Sequence, residues 1–202
     1  MKKKLLVILS AVLGAILLVT GSIAGTIAYL TSQATVTNTF TVGNVTITMD
    51  EAKTDLYGVK DGTNREEDGN EYKLIPNHTY VKDPTIYVEA NSEDCYVFVK
   101  VENGISAIEA TGNTIADQMA ANGWTVLSGN VYVLKNKNGA DANGVVASSA
   151  NEITIPVFAN FKIKTDAVVA GYADAKIIVT AYAVQADGFA DANAAWAGAA
   201  FA

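Results

Sequence analysis

A single cysteine, Cys95, stands in the 202 residues, so no intramolecular disulfide is possible and the fold must rest on packing alone. A lone thiol in a strand-like stretch reads as a small buried apolar group rather than a reactive site. The one histidine, His78 in LIPNHTY, has no neighbouring cysteine and there is no HExxH motif, so the usual zinc ligand sets are missing. A surface-turn or strand-edge role suits it better. Positive charge is scarce as well: 14 Lys and Arg face 21 Asp and Glu, a formal charge of −7, which argues against nucleic acid as a partner. The chain shows no Ser-His-Asp order, no Cys-His pair close in sequence and no nucleophile elbow, which leaves a hydrolase poorly supplied. No cofactor is expected. Long amphipathic helical stretches and βαβ alternation are also missing, which excludes the α/β classes.

What is present begins with a clear leader. Lys2, Lys3 and Lys4 precede an almost wholly apolar run over residues 5–19, and Thr26-Ile27-Ala28 offers small residues where a signal peptidase reads. Residues 1–28 are expected to be a secretory signal cut between Ala28 and Tyr29, although residues 5–30 are long enough to span a bilayer if left uncut. Loss of the three lysines would take the formal charge from −7 to −10. The expected product is secreted, with signal peptidase as a processing partner and membrane contact only through the signal.

Residues 35–49, TVTNTFTVGNVTITM, organise the rest of the chain. Val36, Phe40 and Val42 fall on even positions, Val45, Ile47 and Met49 on odd ones, with threonines filling most of the opposite parity. Period two with β-branched residues marks half-buried strands, and the phase change at Gly43-Asn44 moves every apolar side chain to the other face. Either Gly43 carries a bulge, or residues 35–42 and 44–49 are two strands able to pair with different partners. The second reading makes residues 29–43 a donor segment with Val36, Phe40 and Val42 as its apolar face, Gly43 and Asn44 a hinge, and residues 44–202 the folded domain.

Further along, residues 51–71 read as an acidic, solvated loop whose spacing fails the EF-hand pattern. Residues 85–90 and 95–102 alternate on either side of a turn at residues 91–94, as a hairpin would, with Val97, Val99 and Val101 toward the core. A short helix is expected over residues 115–121, capped by Asn113-Thr114 and stopped by Asn122-Gly123. A hairpin with a three-residue loop, Ser128-Gly129-Asn130, comes next, then a polar loop over residues 136–144. Residues 152–157 form a strand that Pro156 restricts to an edge or a bulge, and residues 158–164 extend it. Residues 176–185, KIIVTAYAVQ, are apolar on both parities and read as a central strand. The alanine-rich tail suggests a short helix packing Trp196 onto the body. Seven or so short strands with regular turns and one or two short helices imply an all-β, jelly-roll-type β-sandwich.

Three stretches carry a resemblance: GTIAYLTSQATVTNTFTVGNVTITMDEA, YVKDPTIYVEANSEDCYVFVKVENGI and IIVTAYAVQADGF. Together they resemble the TasA/camelysin family of secreted proteins, whose signals are processed by a SipW-type peptidase. The resemblance implies a subunit of extracellular biofilm-matrix fibres in which the segment after the signal inserts as a strand into the next subunit. The partners implied are further copies of the chain and an accessory or anchoring fibre protein. It also carries a claim of metalloendopeptidase activity, for which this chain lacks zinc-binding residues. A monomeric secreted or cell-surface binding module is the alternative that needs no strand exchange.

Overall fold

The computed structural model describes residues 44–199, within one compact unit, Val42–Ala202. Eleven strands, two short α-helices and two single-turn 3-10 helices lie within these residues, and every strand pairing is antiparallel. The all-β expectation holds. The four-stranded sheet runs β2 (Lys60–Glu66), β1 (Ile47–Thr54), β4 (Thr85–Val88), β9 (Ile153–Pro156). The five-stranded sheet runs β11 (Ile177–Gln185), β5 (Cys95–Asn103), β7 (Val131–Leu134), β6 (Trp124–Ser128), with β8 (Val145–Val146) also on β5. A separate pair joins β3 (Thr79–Val81) to β10 (Asn160–Lys162).

Alternation puts alternate side chains of each strand on one face, and here the inward faces of both large sheets meet in a single cluster. Ile86 and Val88 of β4 and Ile155 of β9 join Val97, Val99 and Val101 of β5 and Leu134 of β7 there. The valine face of β5 is core, as its spacing predicts. Its opposite face is covered too: Tyr96 and Phe98 pack with Val133, Ala192 and Ala195, the alanines coming from α2 (Ala192–Gly198). Asp191 caps that helix by accepting the Ala194 N–H at 2.9 Å, and Trp196 lies 5.2 Å from the Phe98 ring.

The helix α1 (Ile115–Ala121) begins and ends where its capping residues place it. Thr114 accepts the Asp117 N–H at 3.1 Å, and Asp117 accepts the Thr114 N–H at 2.9 Å, a reciprocal capping box.

Five expectations are corrected. Strand β1 starts at Ile47 rather than Asn44 and runs on to Thr54. The supposed loop over residues 51–71 contains β2, paired with β1 through Glu51↔Glu66 and Thr54↔Lys60; a ladder at a charged sheet edge leaves no apolar periodicity to read. Strands β4 and β5 form no hairpin. The turn between them, with Asn91 at φ 62°, carries the chain from one sheet to the other, so each strand finds its partners elsewhere. The chain beyond Pro156 leaves its sheet and pairs with β3 instead of extending β9. In the β6–β7 hairpin Ser128 is itself paired with Val131, so the loop is Gly129-Asn130, and the spare residue becomes an irregularity between Val126 and Ser128.

Because Phe98 is fully buried between β5, β7 and α2, Phe98→Ala should lower unfolding stability by about 3–5 kcal/mol, read from a urea or thermal transition.

Candidate functional site

The nine residues of β11 pair one-for-one with β5, from Ile177↔Asn103 to Gln185↔Cys95, without a bulge. Among the described residues no strand pairs with β11 on its other side. The sequence reading of a central strand is corrected: among the described residues β11 is an edge. Its inner parity packs on the main cluster (Val179, Ala181) and its outer parity is covered only toward its end, near α2 (Tyr182, Val184), while Ile178 and Thr180 are exposed; centrality concerns neighbours within the sheet.

Burial falls sharply at this edge. On β5, Val97 and Val99 are fully buried, yet Ile177, Val179 and Ala181 of β11 are only half-buried although they pack on the same cluster. Across the gap Val45, Ile47 and Met49 are half-buried against that cluster too. Their shared inward face follows from their odd spacing. Between Met49 and Val179 opens a cleft of about 230 Å³, bordered by Pro84, Ile177, Lys82 and Glu67. It is a slot along the seam between the two large sheets, apolar where β11, Met49 and Pro84 border it and acidic where Asp50, Glu51, Glu66, Glu67 and Asp68 do.

Exposed edges are normally blunted by charge, proline, bulges or shortness, because unpaired N–H and C=O groups template further pairing. Strand β2 is guarded by Lys60, Asp61, Arg65 and Glu66, β9 ends on Pro156, and β6 is short and irregular. Strand β11, IIVTAYAVQ, has no charge, proline, glycine or bulge, and Ile178 is 45% exposed. It is the unguarded one among these four edges.

One wall of the slot is charged and tightly bonded. Lys82 and Glu51, both buried, form an ion pair at 2.5 Å. Glu51 also accepts the Asn70 backbone N–H at 3.0 Å and its side-chain N–H at 2.8 Å, while the Asn70 side-chain Oδ1 accepts the Thr54 N–H at 2.6 Å. Beside it Asp83 accepts the Ala52 N–H at 2.6 Å and meets Lys60 at 3.0 Å and Arg65 at 3.5 Å. Burial alone would raise the Asp83 carboxyl, but the Ala52 N–H and the two cations hold it below the ordinary carboxylate range. Burial, with the Glu51 carboxylate close by, pushes the Tyr72 phenol well up. The cation of one pair and the carboxylate of the other are thus consumed in fixing β1, β2 and the chain before β4.

Of the residues singled out from the sequence, Ala28, Tyr29, Val36, Phe40, Val42 and Gly43 lie outside the described residues. Asn44, the second half of the expected hinge, is exposed and its carbonyl accepts the Glu93 N–H at 3.1 Å. His78 approaches the Tyr57 carbonyl oxygen at 2.8 Å through Nε2 and stands edge-on to Tyr80, ring centroids 4.6 Å apart. Cys95 is fully buried, and burial pushes its thiol up to about 11, so little thiolate forms near neutrality. Among the described residues no three His, Cys, Asp or Glu side chains are grouped to hold a metal ion. The β11 edge and the Glu51–Lys82 pair went unread in the sequence; for the edge, the absence of any guarding residue across residues 177–185 was the signal present.

Comparison of the chain with protein-family models, with characterised proteins and with solved structures finds no match in any of the three.

Removing one buried partner leaves the other charge stranded, so Lys82→Met should cost about 3–5 kcal/mol, and the double change Glu51→Leu with Lys82→Met considerably less, by chemical denaturation. The folded state also binds the Asp83 proton less tightly than the unfolded chain does. Its contribution is therefore present above the ordinary carboxylate value near pH 4 and fades as the pH falls through the lower folded value. In Asp83→Asn the urea midpoint should be lower at pH 7 and should change less between pH 5 and pH 2.

Proposed function

We propose that the chain is a secreted structural subunit of extracellular fibres, a jelly-roll-type sandwich completed in each copy by the segment after the signal peptide of another copy. The observation that carries this reading is the unguarded β11 edge above a half-covered apolar lining. Such an edge poses two demands, partners for backbone N–H and C=O groups and cover for apolar side chains, and an alternating extended segment meets both. Residues 35–42 have that pattern. Val36, Phe40 and Val42 would turn inward toward Ile177, Val179 and Ala181, and the threonines outward. The resemblance of three stretches of the chain, the first beginning at the end of the signal, to the TasA/camelysin family supports the same reading.

Phe40 is the anchor of the proposed donor. Its burial in the slot would contribute about 1.5–3 kcal/mol, with Val36 and Val42 fixing register. A charge near −10 on the processed subunit opposes association, so added salt should promote it, as should lowering the pH toward the isoelectric point near 4.6.

The test is assembly of the chain processed after Ala28. Electron microscopy should show fibres for the unmodified protein and folded, soluble subunits for Phe40→Asp, in which a charge replaces the buried ring. Normal fibres from Phe40→Asp would refute strand donation, and a Phe40→Asp chain that no longer folds would make residues 35–42 an ordinary internal strand.

A further inference from the structure

Each large sheet has two ends, and the chain's connections assign them. Asn44 enters beside Glu93, and β11 leaves at Gln185, paired with Cys95, with the Ala186 N–H bonded to the Asp94 carbonyl at 2.7 Å. Asn44 and Gln185 therefore share one end, here the entry end. Strand β1 runs away from it to Thr54, and Ile177 pairs with Asn103 at the last turn of β5, so the turn over residues 55–59 and Ile177 share the opposite, far end.

That far end displays apolar side chains on a rigid support. Leu56, Tyr57 and Val59 are 50%, 43% and 62% exposed, and Ile75 beside them 37%. Their backbone is fixed at nearly every group. The Asp55 carboxylate accepts the N–H of Tyr57 and of Val59, each at 2.9 Å, and the Leu56 carbonyl accepts the Lys73 N–H at 2.8 Å. Gly58 has φ +74°, and a Cβ there would lie 2.7 Å from the Tyr80 Cα, so the turn is seated directly against the core. Apolar residues presented from a preorganised turn lose little entropy on contact with a partner.

Resting on the fibre reading, we propose that this far-end cluster docks on the entry end of a second copy of the chain, and that the donor segment runs antiparallel to β11. Residues 35–42 lead directly to Asn44. If they ran parallel to the acceptor's β11, the entry ends of two copies would face each other, each segment could enter the other copy, and the assembly would close as a swapped dimer. Antiparallel entry instead sets Val42 near the acceptor's Ile177 and brings the donor's entry end against the acceptor's far end. That contact uses two different surfaces and repeats without closing. Antiparallel pairing is also the slightly more stable ladder. Exposed Glu89, Glu93, Asp94 and Glu152 cluster at the entry end and would repel one another across an entry-to-entry contact, whereas the far end mixes Lys73 and Lys176 with Asp55, Glu71 and Asp174.

The experiment uses the full processed chain. Leu56→Asp with Val59→Asp should leave the subunit's melting transition unchanged, since both side chains are exposed, and slow fibre growth at least tenfold by light scattering, because it sets new anions against the acidic entry end. A cysteine pair, Glu93→Cys with Val59→Cys, joined by a short bismaleimide, should give a ladder of covalent oligomers, whereas Glu93→Cys alone should give none. Covalent dimers from Glu93→Cys alone would show entry ends in contact and overturn the proposal, as would unimpaired growth of the Leu56→Asp, Val59→Asp variant. Fibres from the unmodified chain alongside either of those results would leave strand donation standing and remove only the end-to-end contact; no fibres at all from the unmodified chain would remove both.

Discussion

Backbone hydrogen bonding along β11 is the constraint on which the rest of the molecule depends. A strand within a sheet satisfies N–H and C=O groups on both sides; β11 satisfies those facing β5, over nine uninterrupted pairs. The other edges carry charge, proline or irregular pairing, so an edge of uncharged, β-branched and small residues stands out by contrast. The half-buried state of Ile177, Val179, Val45, Ile47 and Met49 follows from the same circumstance, because these residues line one seam of the core. An extended apolar segment laid along that seam would deepen the core and extend the sheet together.

The molecule also pins the residues bordering the seam. Glu51–Lys82, Asn70 and the Asp83–Lys60–Arg65 group tie β1 and β2 to the chain before β4, a polar wall that holds one side of the slot in place. Buried ion pairs seldom add net stability over apolar packing, but they penalise alternative arrangements of the same strands. A slot that must receive a strand in one register benefits from a fixed wall.

Local chemistry was legible in the sequence where it acts over a few residues. The Thr114 capping box, the stop at Asn122-Gly123, the valine face of β5 and the edge placement implied by Pro156 all follow from neighbours in the chain. Partner choice was not legible, because it depends on residues far apart. Residues 85–90 and 95–102 look like a hairpin by alternation, yet a left-handed Asn91 sends them to different sheets. Lys60 to Glu66 carry no apolar rhythm because the strand is an exposed, charged edge. The apolar run of β11 reports a covered inner face and an outer face covered in its second half, and says nothing of how many strands flank it. Glu51 looked like one acid among many until Lys82, thirty-one positions away, closed on it.

Strand donation at β11 is tested most directly by site-resolved amide hydrogen exchange. Alternate amides of residues 177–181 point toward β5 and away from it, and the second set reports on the open side. Strand donation predicts that this set exchanges quickly in soluble Phe40→Asp subunits and is strongly protected in fibres of the unmodified chain, with the set facing β5 protected in both. Equal, fast exchange of the outward set in subunits and fibres would contradict it.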